Sequence, residues 1–92
     1  MKYTWTKEAD YFAYCLYKTK NCNSNILNKV ADFLGCKPGS LKMRIKNFEY
    51  LDTNSTGLSN YAKQSKEVYL QFQNDCDFFI EVYEQFRRKF ML

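Results

Sequence analysis

Lys37, Lys42, Arg44 and Lys46 crowd into one short stretch, opposed only by Glu49 just beyond it, and Pro38-Gly39-Ser40 stands among them. Cations at this density are the usual footprint of phosphate binding, although a merely solvated face can carry the same charge. Other chemistry is poorly supplied. There is no histidine, and the cysteines at 15, 22, 36 and 76 form no C-x-x-C pair, so neither a zinc ligand set nor a redox motif can be drawn. Asp75 and Asp77 lie two apart and do not converge on one helix face, Glu81 and Glu84 read as a solvated edge, and no nucleophile has a base beside it. The expectation is a non-enzymatic protein without metal or cofactor.

The elements that must position the basic stretch read as helices. Ninety-two residues make one domain near the lower size limit for a single core, and 18 % aromatic content, with Tyr 8 and Phe 8, supplies bulk for it. Thr6 before Lys7-Glu8-Ala9-Asp10 is an N-cap with acids in the first turn, and Trp5, Ala9, Phe12 and Leu16 lay an apolar stripe on a first helix ending near Lys20. Ser24 or Asn23 caps a second helix bearing Ile26, Leu27, Val30, Phe33 and Leu34, which Gly35 ends. Pro38 suits the first turn of a third helix. There Leu41, Ile45 and Phe48 face the core, Ser40, Met43, Lys46 and Asn47 point outward, and Lys42 and Arg44 lie on the flanks.

Two helices joined by a tight glycine turn, the second with a basic outer face, form a helix-turn-helix pattern within an all-α small bundle. The pattern is degenerate, and many α-hairpins unrelated to DNA match it. Residues 1–64 then hold the helix-turn-helix-like part and a turn-rich loop, "LDTNSTGLSNYAKQS". Residues 65–92, from a cap at Ser65, form one long C-terminal helix with Tyr69, Phe72, Cys76, Phe79, Tyr83, Phe86 and Phe90 along a heptad-like seam.

Such a helix outruns the others. Its far half, with Phe78, Phe79, Val82, Tyr83, Phe86 and Phe90, has nothing in its own chain to lie on and is expected to form a homodimer interface or to dock on another chain. A break at Asn74-Asp75, folding the last segment back, is the alternative. Cys15 and Cys76, at apolar helical positions, read as reduced buried thiols of a cytoplasmic protein. No segment is long and apolar enough to span a membrane, and the N-terminus lacks a signal peptide's apolar run.

In order and approximate spacing, "YTWTKEADYFAYCLY", "VADFLGCKPGSLKMRIKNFEYLD", "GLSN" and "SKEVYLQF" resemble the small helical domain found N-terminal to HNH nuclease domains in restriction-endonuclease-like proteins. The resemblance implies help in engaging DNA, with contacts from Lys37, Ser40, Lys42, Arg44 and Lys46 and from Ser59 and Asn60 in the "GLSN" loop. The chain departs from that family where the nuclease should follow: it stops at "RRKFML" and has no histidine to activate water, and it reads as a stand-alone module.

Two functions follow. In one, the chain binds double-stranded DNA, its lysines on phosphates and Ser40, Met43 or Arg44 at base edges in the major groove. In the other, it is an interaction module of phage or mobile-element origin that inhibits a host nuclease or defence complex through the same helix.

Overall fold

Thr6 sets the start of the first helix, its Oγ1 accepting the Ala9 N–H at 3.1 Å. A computed structural model describes residues 4–20, 23–53 and 63–90, among which lie five α-helices and no strand: α1 (Lys7–Lys18), α2 (Ser24–Leu34), α3 (Pro38–Asp52), α4 (Lys63–Asn74) and α5 (Cys76–Phe90). Asn23 caps α2 through its side-chain oxygen, and Gly35 ends it in the left-handed conformation, φ 78°. A side chain there would strain the backbone, so glycine is the residue this turn requires. Three residues later α3 begins at Pro38, whose ring presets the first helical φ.

Helix α1 is the axis of the bundle. Ala9, Asp10, Phe12, Ala13, Tyr14, Cys15 and Leu16 are all buried, so burial runs round most of its circumference and not along a single stripe. Every other helix packs on it. With α3 it runs parallel and in register: Asp10 meets Arg44, the Tyr14 and Phe48 rings lie 5.3 Å apart, and Tyr17 meets Asp52. Leu41, Ile45 and Phe48 sink into the core as their spacing requires, and each buried side chain of this kind is worth roughly 1.5–3 kcal/mol.

The C-terminal half differs from the expected long helix. The chain breaks between α4 and α5 at Asp75, whose Oδ1 accepts the Phe78 N–H at 3.0 Å and so caps α5. With a cap available, neither glycine nor proline is needed for the break. The 3-4 spacing continues across it because both helices turn an aromatic edge toward α1.

The interface expectation is corrected accordingly. Val82, Phe86 and Phe90 are buried in their own chain's core, and Phe78, Phe79 and Tyr83 are half-buried against it. Phe86 and Phe90 meet Phe12, while Phe79 stands edge-on to Tyr14 at 5.5 Å. The overhang that called for a second copy does not exist.

Smaller corrections follow. Cys76 is exposed at the start of α5, whereas burial pushes the Cys15 thiol up to about 12. Ser65 is not a cap but a buried residue within α4, and Phe33 is half exposed at the edge of the core. Among the described residues, no helix is long and apolar enough to cross a membrane.

Candidate nucleic-acid interface

The site is one helix, and the first question is what holds it still. Arg44 leaves α3 inward, its Nε and Nη2 donating to the two carboxylate oxygens of Asp10 at 2.6 and 2.8 Å. Asp10 is completely buried, and the Arg44 side chain is only 12 % exposed. Gln64 Nε2 donates to the same carboxylate at 2.7 Å and to the Trp5 carbonyl at 2.9 Å, and Ser65 Oγ adds a bond at 3.2 Å. The guanidinium also lies 4.7 Å from the Trp5 ring centroid. A planar bidentate fork satisfied on all sides is the arrangement in which an internal ion pair is tolerated.

A second clamp holds the other end of α3. Asp52 accepts from Tyr17 Oη at 2.6 Å and from Tyr69 Oη at 3.2 Å, joining α1, α3 and α4. The Tyr17 bond holds the Asp52 carboxyl below its ordinary range, while desolvation and the adjacent carboxylate push both phenols up. With Leu41, Ile45 and Phe48 between the clamps, α3 is fixed in position and in rotation about its axis.

The outward face then follows from the helical period. Lys37, Ser40, Lys42 and Lys46 are exposed, and Met43 is 65 % exposed. Asn47 is half-buried, its Nδ2 donating to the Met43 carbonyl one turn back at 2.9 Å. Tyr50 continues the line toward the C-terminus. Among the described residues none of Lys37, Lys42 and Lys46 pairs with a carboxylate. The N-terminus of α3 is also open, since Lys37 offers no side-chain cap and a Cβ at Gly39 would meet nothing within 4 Å. Lys37 and Lys42 therefore stand near the open backbone N–H groups at the start of α3, with Lys46 one turn further along its exposed face, an arrangement suited to anions.

The expected set is thus divided. Lys37, Ser40, Lys42, Met43 and Lys46 share the exposed side of α3; Asn47 sits at its margin with its amide turned back on the helix; Arg44 is removed to the interior. Ser59 and Asn60 lie outside the described residues. The Asp10 clamp was missed, because an acid in a first turn already has a local explanation in the helix dipole. Its one sequence signal was the surplus of polar residues, Gln64 and Ser65, at the start of α4.

Asp75 is a helix cap, Glu84 pairs with Arg87 at 3.4 Å, and among the described residues no cluster of three acidic, cysteine or histidine side chains could hold a metal ion. No protein-family model matches the chain, and neither a curated protein nor a solved structure does.

Proposed function

We propose that this chain is a non-enzymatic DNA-binding module that lays α3 into the major groove, with Lys37, Lys42 and Lys46 on phosphates and the Ser40–Met43 line toward the bases. The observation that carries the reading is the division of cations on one helix. Arg44 is spent on holding α3 against α1, while the three lysines face outward without carboxylate partners among the described residues. The open N-terminus of α3 and the likeness to the HNH-associated helical domain support the same reading.

Three lysine–phosphate contacts give a log–log salt slope of about −2.7 for duplex affinity, from roughly −0.9 per contact. Fluorescence anisotropy with a mixed-sequence duplex at several salt concentrations measures it. Changing Lys37, Lys42 and Lys46 together to Glu is expected to abolish binding and leave the helical circular dichroism intact. A triple variant that binds as tightly as the wild type rejects the proposal.

A second reading takes the same face to a protein, a nuclease or defence complex that the module blocks. It is favoured by the apolar content of the face, where Met43 and Tyr50 are both exposed. Failure to bind any duplex, with the lysines intact, selects it.

A further inference from the structure

We infer that Met43 is the specificity-determining residue of the proposed interface and that its target is the 5-methyl group of thymine. The inference rests on the DNA-binding reading above and adds to it a preference among base pairs.

The planar fork and the amide that this face could turn to a base edge are already engaged within the protein. Guanine is read by Arg or Lys on O6 and N7, but the guanidinium of Arg44 is locked on Asp10 through both Nε and Nη2, and the proposed function places the lysines on phosphates. Adenine is ordinarily read by an Asn or Gln amide, but the amide nitrogen of Asn47 is turned back onto the carbonyl of Met43. Lys42 and Lys46 lie on one side of the outward line, and Lys37 stands at its N-terminal end. Beside them projects Met43, with Ser40 one turn before it, and Met43 is more exposed than Phe33, Tyr50, Leu70 or Ile80.

A thioether side chain has no strong hydrogen bond to offer, so it can discriminate only by apolar contact. In the major groove the one apolar group displayed by an unmodified base pair is the thymine methyl. Methionine also suits this role because its flexible chain adapts to the methyl position without demanding a fixed approach angle. Exposure here has no folding rationale: Met43 lies on the side of α3 opposite Leu41, Ile45 and Phe48.

The test uses the intact protein and two duplexes of one mixed sequence, one with thymine and one with deoxyuridine at every thymine position. The replacement removes the methyl and keeps pairing and backbone. Burying one methyl is worth roughly a fourfold change in affinity, so the wild type is expected to prefer the thymine duplex by about that factor for each contact made. Met43→Ala is expected to bind both duplexes equally while keeping the lysine-dependent salt slope; because the side chain is exposed, folding is not at stake. Equal affinity of the wild type for the two duplexes overturns the inference and leaves the DNA-binding reading standing. Discrimination that survives in Met43→Ala overturns the assignment to this residue. Binding to neither duplex overturns both.

Discussion

Replacing Asp10 by Ala tests the clamp that orients α3. The substitution deletes an acceptor that is fully buried and holds the Arg44 fork at 2.6 and 2.8 Å, Gln64 at 2.7 Å and Ser65 at 3.2 Å. Arg44 is then left almost wholly out of water, with the Trp5 ring at 4.7 Å as its main remaining support. Breaking one side of such a pair costs about 3–5 kcal/mol, against a total stability on the order of 5–14 kcal/mol for a chain of this length. At about 4–8 °C per kcal/mol in a domain of this size, the melting temperature falls by at least about 12 °C.

Urea denaturation of the wild type, Asp10→Ala, Arg44→Ala and the double variant closes the cycle. The double variant should cost less than the sum of the singles, by about 1–3 kcal/mol, because each single variant already loses the shared interaction. A cycle that adds, or single losses below about 1 kcal/mol, puts the pair in the class of exposed ion pairs and refutes the claim that it fixes α3. The cycle also separates support from contact. If Arg44 acts only from the interior, the loss of DNA affinity in Arg44→Ala matches its unfolded fraction and any tilt of α3, and the salt slope stays that of three cations.

Alkali should unfold the protein over a defined window. Burial pushes both Cys15 and Tyr14 up to about 12 from ordinary values of 9.0 and 10.0, so the unfolded chain releases these protons first and stability, full below about pH 9, declines as pH rises toward 12; a denaturation midpoint constant from pH 8 to 12 contradicts this. Gly39→Ala is expected to stabilise the fold by about 0.4–1 kcal/mol, since its Cβ meets nothing, and to weaken duplex binding if a phosphate approaches the start of α3; equal or tighter binding excludes that approach. Asp75→Ala removes the cap of α5 and should cost about 1 kcal/mol in urea, with Asp75→Asn close to wild type; equal losses in the two variants would mean that the Phe78 bond is not what sets the break.

Local signals carried the first three helices. A hydroxyl at Thr6, a glycine after Leu34 and a proline at 38 act within a turn of themselves, and the core face of α3 follows from the spacing of Leu41, Ile45 and Phe48, so each is readable without knowing what lies opposite. The C-terminal half was harder for an equally physical reason. A 3-4 repeat reports that one edge of a helix is apolar, not that a single helix carries the whole repeat, and Asp75 interrupts the backbone without interrupting the pattern. Once the chain turns there, the aromatics that looked surplus become the partners of Phe12 and Tyr14 within the same chain.

The role of Arg44 is not written in its own neighbourhood. Its place on the flank of α3 leaves it equally able to reach DNA or the core, and the choice is made by Asp10, in another helix and 34 positions away. Asp10, in turn, looks explained by the dipole of its own helix. Neither residue betrays the other until α1 and α3 are laid parallel, with Tyr14 against Phe48 and Tyr17 against Asp52 completing the register. Moving one cation from the surface to that seam changes what the remaining face can do. It takes the fork off the outward face, leaves the charge there to the lysines, and leaves Met43 the most exposed of the large apolar side chains described. Under the proposed DNA-binding function, a guanidinium held inside shapes base preference by its absence from the groove, and the same bond that stabilises α3 narrows what α3 can read.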